Sequence, residues 1–176
     1  MAHERIIVEP TAGALGAELS GVDLRKPLDE QTVAEIRDAL FEHLVIFFRD
    51  QDITSEQYLT FAREFGDILP YPLVQGLDDF PDIVPVLKLP HETVNFGGLW
   101  HADTTYLTEP PMGAILRARE LPPRGGDTIW ANMYLAYETL SDGMKRMLDG
   151  LTAVFSSEKA GATAAREDRR NDAPKD

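Results

Sequence analysis

No large apolar side chain occurs after Phe155, and this bounds where a core can form. Ser157 to Asp176 holds five basic and five acidic side chains, and its remaining residues are small or polar. Such a stretch cannot bury enough apolar surface to offset the entropy of ordering it. The pattern therefore predicts one foldable portion over 1–156, followed by a disordered polar tail or truncated loop over 157–176. A portion of about 150 residues suits a single domain with its own core.

The charges of the tail cancel, so the net charge of −13 resides in the portion that folds. That balance excludes a sequence-independent nucleic-acid surface, which needs a basic face. It also disfavours anionic membranes. No apolar run reaches the ~18 residues of a membrane span. The residues Met-Ala-His-Glu-Arg ahead of Ile6 lack the basic start and long apolar stretch of a secretory signal. With no cysteine, neither a disulfide framework nor thiolate chemistry is available. The expectation is a cytoplasmic protein acting on a small molecule, without nucleic-acid or membrane partners and with homo-oligomerisation left open. An anionic ligand would have to be met by local positive groups, because the overall field opposes it.

Ile6 to Val8 and Leu15 to Leu19 read as short strands around a turn over Thr11 to Gly16. Asp29 is placed to cap a helix with Val33, Ile36 and Leu40 on one face. It runs into Leu44-Val45-Ile46-Phe47-Phe48, an apolar run suited to a strand buried on both faces. Thr54 and Gln57 form a capping-box pattern, Ile53 and Tyr58 have hydrophobic-staple spacing, and Phe61 and Phe65 continue the apolar face to a stop at Gly66. Residues 66–83 read as loop, and Val84 to Leu89 as an edge strand interrupted by Pro85. A second β-rich stretch is expected over Gly113 to Leu121 and Thr128 to Met133, separated by the turn-forming Pro122-Pro123-Arg124-Gly125-Gly126-Asp127. Short helices follow around Met133 to Thr139 and Asp142 to Asp149, the second capped by Ser141 and ended by Gly150. Leu151 to Phe155 reads as a last strand.

The segment Trp100-His101-Ala102-Asp103-Thr104-Thr105-Tyr106 can carry chemistry. In an extended chain residues i and i+2 point to the same side, so His101 and Asp103 can converge on one point. A neutral imidazole and a carboxylate are two of the three ligands of the 2-His-1-carboxylate facial triad. Alone, His-x-Asp is a weak pattern, and a hydrogen-bonded surface pair is its plainer reading. The pair Gly125-Gly126 is not a phosphate loop, since no Gly-x-x-x-x-Gly-Lys pattern surrounds it.

The wider context is more specific. Trp100-His101-x-Asp103-x-Thr105-Tyr106, then Pro110-Pro111 and Gly125-Gly126-Asp127-Thr128, occur in one order with Gly16-Ala17-Glu18, Gly21-Val22-Asp23-Leu24 and Phe61-Ala62-Arg63-x-Phe65-Gly66. Together these motifs resemble the taurine dioxygenase-like (TauD/TfdA) family of Fe(II)- and 2-oxoglutarate-dependent dioxygenases, over roughly residues 5 to 155. The resemblance implies a mainly β fold with flanking helices and an incomplete double-stranded β-helix (jelly-roll) core. It implies His101 and Asp103 as the first two iron ligands, 2-oxoglutarate as chelating cosubstrate, and Thr128 on the cosubstrate carboxylate. The implied reaction uses O2 to hydroxylate a C–H bond, releasing succinate and CO2.

Tyr106 is placed to line the substrate pocket or to pack in the core. Tyr71 and Gly97 fall where sulfonate-using members carry a histidine and an asparagine, and neither supplies the side chain a sulfonate needs. A sulfate ester or another small organic acid is then as well suited a substrate as a taurine-like sulfonate. The family's third ligand is a downstream histidine followed by an arginine, yet no histidine follows His101 here. Arg117, Arg119 and Arg124 are not placed by any motif at that arginine's position. The chain accordingly reads as the N-terminal part of a dioxygenase, with a catalytically inactive remnant of the fold as the alternative. A metal-dependent isomerase or hydrolase on the same two ligands is a third reading.

Overall fold

The structure is a computed structural model that describes residues 3–71, 74–89, 91 and 97–157. Apart from Ser157, the tail expected over 157–176 lies outside the described residues. The chain divides into two compact units, one formed by Met1–Gly66 with Leu121–Leu151 and the other by Asp67–Glu120 with Thr152–Asp176.

In the first unit, β1 (Ile7–Pro10) pairs antiparallel with β2 (Ala17–Ser20), with Ile7 opposite Ser20 and Pro10 opposite Ala17. The turn between them closes through the Thr11 N–H, which donates to the Gly16 carbonyl at 2.9 Å. Gly16 sits at φ +98°, and a Cβ there would lie 2.6 Å from Thr11 Oγ1, so the turn requires glycine. β2 then pairs in parallel with β3 (Ile46–Phe48), Ala17 opposite Ile46. Parallel neighbours need a crossover, and helix α1 (Glu30–His43) supplies it. The expected cap forms: the Asp29 carboxylate accepts from the Thr32 N–H at 2.7 Å and from its hydroxyl at 2.8 Å. Leu44 ends the helix in the left-handed region, at φ +66°, with its N–H donating to the Leu40 carbonyl. β3 is therefore shorter than the apolar run that announced it. It lies at the sheet's edge and is half-buried, not buried on both faces.

Helix α2 (Ser55–Arg63) carries both halves of its capping box. Gln57 N–H donates to Thr54 Oγ1, and Thr54 N–H donates to Gln57 Oε1 at 2.8 Å. The core gathers Ile6, Ala17, Leu19, Leu24, Ile36, Ala39, Ile53 and Phe61, with Tyr58 and Phe65 packed against it. Phe61 meets Phe48 and Phe65 edge-on at 5.6 and 5.2 Å.

Glu35 is a buried acid inside this packing. Its Oε2 accepts from the backbone N–H groups of Glu4, Arg5 and Ile6 at 3.1, 2.9 and 3.3 Å, and its Oε1 accepts from the Gln31 amide at 3.1 Å. Burial pushes this carboxyl up, but the hydrogen bonds from Arg5, Glu4, Gln31 and Ile6 outweigh it and hold the carboxyl below its ordinary value. A depressed carboxylate contributes stability that is fully present above the ordinary carboxylate range and is lost as pH falls through the lowered value. The difference in Tm between the native protein and E35Q is therefore expected to be largest near neutral pH and to close on acidification. Melting curves across an acid series check this, and a pH-independent difference would contradict it.

The later part of the chain departs from expectation. Helices α3 (Met133–Glu138) and α4 (Asp142–Leu148) form where the pattern placed them, capped by Asn132 and Ser141, yet neither buries a residue. Trp130 meets Phe47 edge-on at 5.5 Å, and Asn132 Nδ2 donates to the Ala14 carbonyl at 2.7 Å, joining this segment to the beginning of the chain. Val84 to Leu89, Gly113 to Leu121, Thr128 to Met133 and Leu151 to Phe155 form no strands. A strand forms only in a sheet, and the one sheet among the described residues consists of β1, β2 and β3. Among those residues, regular structure is four helices and one three-stranded sheet, with less strand than the mainly β expectation. No helix among them is long and apolar enough to cross a membrane.

Candidate metal centre

His101 and Asp103 lie in the second unit. The chain around them is irregular, not the extended segment from which their convergence was expected. Thr104 bends it at φ +51°, a rare conformation for a β-branched residue, and the Leu107 N–H donates to the Thr104 carbonyl at 3.0 Å. The two side chains nevertheless meet, with His101 Nε2 3.1 Å from Asp103 Oδ1.

The other ring nitrogen decides what that contact is. His101 Nδ1 lies 2.7 Å from the Leu99 carbonyl oxygen. A carbonyl can only accept, so Nδ1 carries the hydrogen, and in the neutral ring Nε2 turns a lone pair toward the carboxylate. Two lone pairs at that distance repel unless something positive lies with them, a proton or a metal ion. Two ligands at right angles on a divalent ion, each bonded at roughly 2.1 Å, stand about 3.0 Å apart. The donor set and its spacing thus fit one edge of a metal's coordination sphere, and the backbone carbonyl on Nδ1 is the usual kind of outer partner for a ligating histidine. Both side chains are more than half exposed, at 51% and 61%, so the pair is open to a ligand. Among the described residues no group of three or more His, Cys, Asp or Glu gathers at one point.

Two hydroxyls close to His101 and Asp103 in sequence have no partner. Thr104 Oγ1 and Tyr106 OH are both buried without a hydrogen bond. A buried unpaired hydroxyl costs on the order of 1–3 kcal/mol, so each is an unfilled donor or acceptor. Trp100, by contrast, is 70% exposed and packs into no core.

The other expected site residues are placed as follows. Gly97, at φ +68°, stands against the His101 ring. Tyr71 is half-buried in the same unit. Thr128 belongs to the first unit and is exposed, just beyond a turn in which Gly125 and Gly126 both adopt φ +75°. The turn chemistry read from the sequence is therefore present. Sequence reasoning missed the Leu99 carbonyl and the bend at Thr104. The first is backbone, which leaves no residue-type signal, and the second is a conformation that threonine disfavours.

The pattern of the taurine catabolism dioxygenase TauD, TfdA family matches residues 7–176. An alkylsulfatase from Acinetobacter baylyi is 37% identical over 158 residues, covering 88% of this chain and 48% of that protein. An alpha-ketoglutarate-dependent sulfate ester dioxygenase from Pseudomonas putida is 38% identical over 152 residues, covering 86% of this chain and 50% of that protein. The crystal structure of a taurine dioxygenase from Burkholderia xenovorans superposes with a TM-score of 0.71 at 40% identity, over 84% of this chain and 52% of the other. The chain spans about half the length of these relatives.

Proposed function

The chain belongs to the taurine catabolism dioxygenase TauD, TfdA family, and from that premise we propose that it is the N-terminal part of an Fe(II)- and 2-oxoglutarate-dependent dioxygenase acting on a small organic substrate. The observation that carries this reading is the 3.1 Å pairing of His101 Nε2 with Asp103 Oδ1, with Nδ1 held by Leu99. His101 and Asp103 would hold the metal, His101 through the lone pair at Nε2 and Asp103 through its carboxylate. Bound there with 2-oxoglutarate and O2, iron(II) supplies the oxidising power that hydroxylates a C–H bond while 2-oxoglutarate becomes succinate and CO2. Leu99 keeps the Nδ1 hydrogen and so prevents the ring from turning its protonated nitrogen toward the ion. By the same resemblance, Thr128 would offer its hydroxyl to the cosubstrate carboxylate. Tyr106, whose hydroxyl lacks a partner, lines the substrate pocket with Tyr71 and Gly97.

The substrate class is a sulfate ester or another small organic acid. Tyr71 and Gly97 in place of a histidine and an asparagine weigh against a sulfonate, and two of the relatives carry names for sulfate-ester chemistry. A jelly-roll completed by further polypeptide accounts for the exposed apolar side chains Ile129, Met133 and Tyr134 of the first unit and Leu116 of the second, each more than two-thirds exposed.

Anaerobic titration with Fe(II) and 2-oxoglutarate is the test. The visible metal-to-ligand band of the chelate should appear and saturate at stoichiometric iron, and succinate should form when O2 is admitted. A second reading, an inactive remnant of the same fold, is favoured by the absence of a third ligand among the described residues. It is the correct one if the band is missing here but present in a chain extended by the second half of a relative.

A further inference from the structure

We propose that Thr104 is a positioning residue, its left-handed backbone being the bend that turns Asp103 onto His101; the consequence for metal affinity rests on the function proposed above. Extended backbone would bring side chains i and i+2 to one side, but the chain turns over 103–106, so the 3.1 Å pairing of His101 Nε2 with Asp103 Oδ1 needs another cause. Among the described residues Leu44, Asp50 and Thr104 are the non-glycine residues with positive φ, and Thr104, at +51°, adjoins the pair. It is β-branched, and for such a residue this conformation is a genuine outlier. Hydrogen bonds close the bend on both sides. Leu107 N–H donates to the Thr104 carbonyl at 3.0 Å, and Thr105 Oγ1 donates to the Ala102 carbonyl at 3.5 Å.

Threonine is ill suited to this position in two ways. It disfavours the left-handed region, which asparagine and glycine enter readily. Its hydroxyl is also buried without a partner, in a residue only 7% exposed. A residue held in a conformation it disfavours persists only where its surroundings over-determine it. The pair itself is part of those surroundings. Without an ion, the facing lone pairs of His101 and Asp103 oppose the bend; with an ion between them, they favour it. The cost of the bend therefore subtracts from metal binding, and the site holds an ion more weakly than its donors alone allow. A packing role for Thr104 predicts the opposite ranking of replacements. Valine would then be the best substitute, since it removes only the unpaired hydroxyl, while glycine leaves a cavity and asparagine buries a further polar group.

The test ranks T104N, T104G and T104V against the native chain, at a pH above the ordinary imidazole range. Mn(II) titration followed by electron paramagnetic resonance reports affinity. In samples without metal, a strong intraresidue HN–Hα NOE at residue 104 reports positive φ, and an NOE between His101 Hε1 and the Asp103 Hβ protons reports the pairing. T104N should bind Mn(II) about fivefold more tightly than the native chain, the factor that relief of a left-handed branched residue is worth, with both NOEs stronger. T104G, which adds no atoms, repeats the comparison without burying an amide and should bind more tightly than T104V. Valine is branched as threonine is, so T104V should stay within about twofold of native. Unchanged amide spectra for α1 and α2 show that the variants fold. If neither T104N nor T104G binds more tightly than T104V, the proposal is overturned and packing is the role of this residue. If no chain binds Mn(II), the metal function falls, and the ranking of the NOEs alone upholds or overturns the positioning role.

Discussion

A His101→Ala chain is expected to show neither the iron–2-oxoglutarate band nor iron-dependent succinate, with its fold intact. The site offers two protein donors in contact, and removing one leaves a lone exposed carboxylate. Loss of an outer-shell partner costs roughly 10–100-fold in metal affinity, and loss of a ligand exceeds that. D103N should behave almost as badly, because a neutral amide is a poor ligand for a divalent ion although its size is unchanged. The fold should survive both changes. Among the described residues His101 bonds to Leu99 and pairs with Asp103, all of them exposed, and substitutions at such sites fall within about 0.5 kcal/mol. Absorbance titration and a thermal melt on the same samples separate the two effects. Native iron binding by H101A would move the metal elsewhere and remove the proposed function with it.

The largest effect on stability is expected at Ile36. Among the described residues it is the largest side chain that is fully buried, and α1 sets it in the same core cluster as Ala17, Ala39, Leu19 and Ile6. Ile36→Ala deletes three carbons from the centre of that cluster, a class of change that costs about 2–5 kcal/mol. The upper half of that range is expected, because Ala17 and Ala39 have no side-chain reach with which to fill the void. Against a total stability of order 5–15 kcal/mol, such a loss is severe. Phe41 on the same helix is 62% exposed, and F41A should stay within about 0.5 kcal/mol. Urea unfolding followed by circular dichroism compares the two, and equal losses would place the core elsewhere.

What could be read in the sequence was mostly what is decided within a few residues. Asp29 caps α1 through Thr32, Thr54 and Gln57 close a box, and Ser141 starts α4, because each pairing joins groups three residues apart. Thr128 to Met133 and Gly113 to Leu121 carry strand-forming side chains just as plainly, but strand formation depends on a partner that no local pattern specifies. Leu44–Phe48 shows the same limit: its apolar content announced a strand, while the left-handed turn at Leu44 and the edge position were tertiary outcomes. At the site, His101 and Asp103 were legible from residue type and spacing, although the chain brings them together by a bend at Thr104 rather than by alternation. Gly97 was noticed for the side chain it lacks at a substrate position. Its nearness to the imidazole becomes visible only once the ring is built.

Asn132 donates to Ala14 and Trp130 packs on Phe47, within a unit assembled from 1–66 and 121–151, while the stretch between them, 67–120, belongs with 152–176 to the other. On the ribosome the first of these units cannot be finished until the segment bearing His101 and Asp103 has already emerged. The same topology gives that segment latitude. Doubling the length of an intervening loop costs only about 0.6 kcal/mol of closure entropy. Insertions and rewritten stretches between Gly66 and Leu121 can therefore accumulate at little expense to the anchoring unit, leaving selection free to reshape the surroundings of His101 and Asp103.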